Sequence, residues 1–194
     1  MSDAPLTADA ILNAAEDVFR RYGPTKTTVV DVARALNVSH GTIYRHYASK
    51  ADLRDAVVKR WLDHVSQPLA AIALEEGVAT KQLQRWLRQL MAAKHQKAHA
   101  DPELFATYQA LSEQARAVVY AHINELVRQV TLIVERGVAQ GEFNVDDPLS
   151  AAQAIFHATT RFHHPVHAST WNATTIDDEF VAVWRLILLG LQPR

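Results

Sequence analysis

Val32-Ala33-Arg34-Ala35-Leu36-Asn37-Val38-Ser39-His40-Gly41-Thr42-Ile43-Tyr44 is the stretch whose spacing decides the fold. Ala33 is small, so a second helix can approach the first closely. Four residues on, Asn37 stands where a tight turn needs a positive φ. Glycine suits that conformation best, and asparagine tolerates it better than most other residues. Val38 and Ile43 then supply apolar anchors that pin the second helix. This is the spacing of a helix-turn-helix, whose second helix offers its N-terminal face to the major groove of duplex DNA.

The flanking segments read as helices as well. The first spans about Thr7 to Tyr22, with Ile11, Ala14, Ala15, Val18, Phe19 and Tyr22 as its apolar stripe, and Gly23-Pro24 stops it. Thr28-Val29-Val30-Asp31 has the form of a capping box opening a short helix through Leu36, and Ser39 is the next N-cap. Ser49-Lys50-Ala51-Asp52 repeats the capping pattern and opens a long helix bearing Leu53, Val57, Trp61 and Val65. Pro68 is expected to kink or end it.

Beyond Thr80 the periods lengthen. Leu83, Trp86, Leu87, Leu90 and Met91 make one stripe, and Asp101-Pro102 marks a fresh start. Val118 to Val134 form a long helix stopping near Gly137–Gly141. Asp146-Asp147-Pro148 opens a helix that Pro165 should terminate, and an apolar helix from Phe180 to Leu191 closes the chain. No alternating strand pattern occurs, so the class is all-α.

Composition narrows the rest. The chain has 194 residues, 48% hydrophobic and 21% charged, with six Gly and seven Pro, which excludes disorder and low-complexity architecture. The absence of Cys removes disulfide scaffolds, thiolate metal sites and cysteine nucleophiles. No apolar run approaches the roughly eighteen residues of a spanning helix, and MSDAPLTADA lacks a secretory pattern, so a cytoplasmic protein with no membrane partner is expected. Net charge is −1, yet its distribution is uneven. Residues 20–50 carry six bases (Arg20, Arg21, Lys26, Arg34, Arg45, Lys50) against Asp31, a local charge of +5. A small basic face on a near-neutral protein suits contact with a polyanion.

Thr27-Thr28, Asp31-Val32-Ala33, Asn37-Val38-Ser39, Gly41-Thr42-Ile43-Tyr44-Arg45-His46-Tyr47 and Ser49-Lys50-Ala51-Asp52-Leu53 together resemble the DNA-binding domain of the TetR/AcrR transcriptional regulators. The resemblance runs over about residues 7–55 and departs from the common pattern at Asn37, where glycine is typical. It implies an N-terminal three-helix DNA-binding domain over residues 1–52 and a larger helical ligand-binding and dimerisation domain over residues 53–194. Chemistry and resemblance together assign residue roles. His40 and Thr42 can read base edges, and Gly41 lets the backbone approach the groove. Ser39 caps the recognition helix, while Tyr44, His46 and Lys50 resemble phosphate-backbone contacts. Arg45 suits guanine or phosphate, and Thr27 and Thr28 look like backbone clamps. Val38, Ile43 and Tyr47 are expected in the core.

In the larger part the resemblance implies a ligand cavity, with Trp86, Leu90, Phe105, Tyr108, Tyr120, His122, Phe156 and His157 as candidate lining. It also implies a dimer interface on helices near 148–164 and 175–191, where Phe180, Trp184, Ile187 and Leu188 supply apolar surface. The function implied is a one-component repressor without a cofactor. As a homodimer it would bind a pseudo-palindromic double-stranded operator and be released by a small organic effector. Two alternatives stay open: a metal-responsive regulator using His157, His163, His164 and His167, and a helical-bundle carrier or enzyme. Pro165 separates His163 from His167, and no zinc-protease or nucleophile-elbow motif is present.

Overall fold

The structure is a computed structural model describing residues 6–193; Arg194 and residues 1–5, including Asp3 and half of the stretch read for a leader, lie outside it. Among the described residues ten α-helices follow one another: α1 Ala8–Tyr22, α2 Val29–Ala35, α3 His40–Tyr44, α4 Lys50–Leu74, α5 Ala79–Ala100, α6 Pro102–Gln114, α7 Arg116–Ala139, α8 Pro148–Ala158, α9 Thr160–His163 and α10 Ile176–Leu191. A 3-10 helix, Pro165–Thr170, precedes the last. No strand occurs among the described residues.

Local sequence accounts for the helix ends. Thr7 caps α1, and Gly23 closes it with φ 77° and a 2.8 Å bond from its N–H to the Phe19 carbonyl. Thr28 and Asp31 form the complete reciprocal capping box at α2. The Ser49 hydroxyl accepts from Asp52 N–H at 3.1 Å and donates to its carboxylate at 2.8 Å. Asp101 and Asp147 cap α6 and α8, each followed by Pro in the first turn, where its missing N–H costs nothing.

Three expectations are corrected and one further helix end is located. Pro68 does not end α4, which runs on to Leu74. Val65, Leu69 and Ala73 bury one face on both sides of it, and His64, whose carbonyl loses its donor, is exposed to water. The helix expected to stop near Gly137–Gly141 does so, α7 ending at Ala139; Gly137 is a buried position inside its last turn and Gly141, at φ 73°, follows the end. A Cβ on Gly137 would lie 2.1 Å from Cδ2 of Phe143, so the glycine is the seat of that ring. The helix from Pro148 breaks at Thr159, ahead of Pro165, and the Thr159 hydroxyl turns back to the Ile155 and Phe156 carbonyls at 2.9 and 3.1 Å. On α1 the buried stripe includes Leu12, while Tyr22 is exposed beside the Arg21 guanidinium.

The chain divides into two compact units, Met1–Leu62 with Asp101–Tyr120, and Asp63–Ala100 with Ala121–Arg194. This differs from a cut at residues 52/53 because Trp61 on α4 stacks on Tyr108 of α6, with ring centroids 4.5 Å apart and planes 14° apart. Arg60 also ties α4 to α1, donating to Asn13 Oδ1 at 2.7 Å and Glu16 Oε2 at 2.9 Å. The second unit has its own apolar core, from Val65, Leu83, Trp86, Leu90, Val130, Ile133, Phe156, Phe162, Phe180 and Trp184 among others. A loop following α7 fastens it: the Glu142 carboxylate accepts from Ala79 and Thr80 N–H at 2.8 and 3.0 Å, capping α5, and Asn144 N–H donates to the Leu191 carbonyl at 2.7 Å.

Candidate functional site

The turn between α2 and α3 closes as the spacing requires. Asn37 has φ 53°, the only positive value outside glycine among the described residues, and Val38 N–H donates to the Ala33 carbonyl at 3.0 Å. Ser39 caps α3, accepting from Thr42 N–H at 3.2 Å. Ile43 is wholly buried, and Val38 and Tyr47 are half-buried. Only one side chain of the five-residue helix therefore enters the core. The others face outward.

His40, Gly41, Tyr44, Arg45 and His46 are exposed and Thr42 is half-buried. The His40 and Tyr44 rings meet edge-on, with centroids 6.3 Å apart. Thr42 Oγ1 links Ser39 Oγ (2.9 Å) to the Arg45 guanidinium (3.3 Å), so Ser39, Thr42 and Arg45 form one hydrogen-bonded row. That row is a consequence of the i, i+3 spacing and was not singled out in the sequence. A Cβ on Gly41 would meet only Ser39 Oγ, at 3.7 Å, so the glycine leaves an open patch of backbone. Lys50, the first residue of α4, extends its ammonium to the Thr25 carbonyl at 3.5 Å and so stands beside the loop before α2.

The two threonines separate. Thr28 is exposed, with its hydroxyl given to Asp31 at 2.6 Å, and that hydroxyl together with the Thr28 N–H holds the Asp31 carboxyl below its usual range. Thr27 is buried and donates to the Gly23 carbonyl at 2.8 Å. Its hydroxyl stitches the end of α1 and cannot reach a phosphate, which corrects its reading as a backbone clamp.

The candidate lining residues also separate. Phe105 and Tyr108 are buried in the first unit against Trp61. The Tyr108 phenol is held well above its usual range by burial, then by the Glu16 charge and hydrogen bond. Tyr120 is 68% exposed and His157 lies on the open face of α8, so neither is an interior wall of this chain. Trp86, Leu90 and Phe156 are buried in the second unit, where Trp86 Nε1 donates to Gln129 Oε1 at 3.1 Å. His122 is on α7 of the same unit, its Nε2 buried without a hydrogen-bond partner. Burial, then the Lys94 charge, lowers its pKa to about 3. Lys94, missed in the sequence because a lysine beyond the last apolar position of the α5 stripe reads as a surface group, is buried there too.

The histidines near Pro165 do not converge. His163 is buried, with Nε2 3.3 Å from both the Phe156 carbonyl and Thr159 Oγ1, while His164 caps the 3-10 helix by accepting from Val166 N–H. Among the described residues no three His, Asp or Glu side chains come together as a metal ion would require. On α10, Phe180 and Trp184 are core residues, and Ile187 and Leu188 are half-buried against the core. Leu186 and Leu189, each 71% exposed, are the apolar side chains that face outward. The period of the helix explains the shift: Phe180, Trp184 and Leu191 follow the core stripe, and 186 and 189 fall opposite. No helix among the described residues is long and apolar enough to cross a membrane.

Comparison with known proteins agrees with this arrangement. Residues 11–57 match the family described as bacterial regulatory proteins, tetR family, and residues 79–184 match the tetracyclin repressor-like C-terminal domain. An HTH-type transcriptional repressor of Mycobacterium tuberculosis is 39% identical over 72 residues, which is 37% of this chain and 36% of that one. The chain thus spans about a third of that relative's length. The repressor KstR2 of Rhodococcus jostii is 26% identical over 190 residues, covering 93% of this chain and 89% of its own. Among solved structures, SmeT, the repressor of the Stenotrophomonas maltophilia efflux pump SmeDEF, superposes with a TM-score of 0.73 at 16% identity, over 99% of this chain and 93% of that one. A SmeT–triclosan complex superposes at 0.70, with 15% identity over 95% and 91% of the two chains. With its N-terminal and C-terminal parts both matched, over the helix-turn-helix and over more than half of its length, the chain belongs to the TetR family of bacterial transcriptional regulators.

Proposed function

We propose that this protein is a repressor that binds a pseudo-palindromic operator as a homodimer and leaves it when a small organic effector occupies the second unit. The observation that carries the DNA reading is the outward face of α3 and its C-terminal end, where His40, Thr42 and Tyr44 stand on a helix whose buried side chain is Ile43, and Arg45 and His46 follow it exposed. Arg45 and Thr42 have the donors to address base edges or phosphates, and Lys50 adds a point charge beside them. The homodimer reading is supported by Leu186 and Leu189, apolar groups exposed on α10. The effector reading is supported by the apolar interior around Trp86, Leu90 and Phe156, and by SmeT, whose complex with triclosan shows an organic ligand on the same fold.

Duplex binding measured against salt tests the reading. Fragments from upstream of the protein's own gene should bind more tightly than random duplex, with affinity falling steeply as salt rises. Lys50→Ala should weaken both duplexes alike and reduce the log–log slope by about one per subunit, because a phosphate contact positions without reading sequence. Thr42→Ala should narrow the gap between specific and random DNA. Salt-independent or absent duplex binding would refute the proposal. Leu186→Glu with Leu189→Glu should give helical monomers in sedimentation; an intact dimer would place the interface elsewhere.

A further inference from the structure

At the end of α3 one cation is held in place without being neutralised. Four arginines lie between residues 20 and 50. Two are occupied by carboxylates: Arg20 by Asp101 at 2.7 Å and Arg34 by Asp31 at 3.1 Å. Arg21 lies over the Tyr22 ring, 5.5 Å from its centroid. Arg45 differs. Its Nη2 donates to the Thr42 hydroxyl at 3.3 Å, and that oxygen lies 2.9 Å from Ser39 Oγ, which accepts from the Thr42 N–H at 3.2 Å. Backbone thus fixes Ser39, Ser39 fixes Thr42, and Thr42 fixes the guanidinium. A neutral hydroxyl orders the charge and leaves it available. Direction decides what that charge can reach. Arg45 is the C-cap residue of α3, whereas the N-terminal residues of a recognition helix are the ones that meet base edges. The bond to Thr42, the third residue of α3, folds the arginine back over the first turn, the way helical side chains lean. Whichever Nη2 hydrogen is engaged there, a two-donor edge of the fork stays free. Gly41, one turn before Arg45, adds no side chain to crowd it.

We infer that Arg45 reads a guanine in each operator half-site, and that Thr42 is its positioning residue, acting on sequence choice through the guanidinium and not through a base contact of its own. The inference rests on the reading of α3 as the DNA-binding face and names the base that this face selects. The free edge of the fork matches the paired acceptors of guanine, O6 and N7, in the major groove. A phosphate accepts an arginine in many orientations, but a bidentate pair with a base edge needs the plane of the fork to be set. A long side chain ordered before binding also gives up less freedom on meeting its base. The Thr42 hydroxyl therefore bears on discrimination between sequences more than on affinity for DNA at large.

The test is selection by the full chain from duplexes with a randomised central window, followed by titration of the selected site and its single-base variants. The parent protein should select a guanine at one symmetric position of each half-site, preferred about tenfold or more over the other bases there. Arg45→Ala and Arg45→Lys should both lose that preference. Arg45→Lys should keep the salt slope, because it retains the charge and lacks the fork. Thr42→Val keeps the shape and removes the hydroxyl. It should cut the preference about threefold or more at the same base pair and leave random-duplex affinity unchanged, while Thr42→Ser should retain the preference. A loss in Thr42→Val at a different base pair would make Thr42 a reader in its own right and overturn the inference. An unchanged preference in Thr42→Val, or equal weakening of every duplex, would overturn it as well. So would an Arg45→Ala protein that binds all duplexes more weakly with its base preferences intact, the behaviour of a phosphate contact. A parent protein that selects no sequence would end the DNA reading itself; one that selects sites without the guanine would end the inference alone.

Discussion

Gly137→Ala is a substitution whose sign in this protein opposes helix propensity. In an exposed helix interior, alanine is favoured over glycine by about 1 kcal/mol. Here the added methyl would lie 2.1, 2.5 and 2.8 Å from Cδ2, Cε2 and Cγ of Phe143, distances that no van der Waals contact allows. The ring cannot slide along its loop, because Glu142 and Phe143 N–H both bond to the Gly137 carbonyl, at 2.9 and 3.1 Å. It must leave a position where it is 2% exposed. Removing a buried Phe side chain costs about 3–5 kcal/mol. Set against the propensity gain, the net loss should be about 2–4 kcal/mol, or roughly 5–15 °C in a protein of this size. Thermal and urea unfolding measure it directly. With Phe143→Ala already present, the same change should turn stabilising, because the methyl then fills vacated space. A Gly137→Ala protein that melts at or above the parent would refute the packing argument.

Asn37→Ala should destabilise by about 1–2 kcal/mol, since only the backbone conformation at φ 53° changes in cost, while Asn37→Gly should stay within about half a kcal/mol of the parent. Urea midpoints check this, and equal stability of the Ala and Asn proteins would sink it. Stability should also fall as pH drops below about 6.5. The imidazole of His163 is held neutral by burial and then by the Lys94 charge, down to a pKa of about 3, while the unfolded chain takes up its proton near the ordinary value. The unfolded state therefore binds more protons below pH 6.5, and the loss from this group reaches about 2 kcal/mol by pH 5. His163→Phe should flatten that part of the urea-stability profile; an unchanged pH slope would show that the ring is not neutral in the folded protein.

Local signals carried well from sequence to structure where the chemistry is contained in a few residues. The positive φ of Asn37, the Thr28–Asp31 box, the Ser39 cap and the burial of Ile43 all follow from short-range rules. Features decided by distant partners did not carry. Thr27 has the same side chain as Thr28, and only the packing of α1 sends one hydroxyl inward. Tyr108 looked like a ligand wall, but Trp61, 47 positions earlier in the chain, decides where its ring lies. Lys94 offered no sequence cue because a lysine is ordinarily a surface group; its place on the Trp86–Leu90 stripe becomes informative once that stripe is known to be buried at its far end. Pro68 misled because helix-breaking rules describe a helix in isolation, and apolar packing on both sides overrides the loss of one bond.

The brevity of α3 has a consequence for hydrogen exchange. Five residues are far too few to sustain a helix alone, since nucleation costs more than so short a run returns. Amides of α3 that are bonded inside the helix, such as that of Arg45 to the Gly41 carbonyl, can be protected only while Ile43 stays seated against its neighbours. Their exchange should then track the opening of α1 and α2 as one cooperative unit instead of fraying residue by residue. The reading head would be present or absent as a whole, and anything that loosens the seat of Ile43 would dissolve the recognition surface without touching one of its exposed side chains.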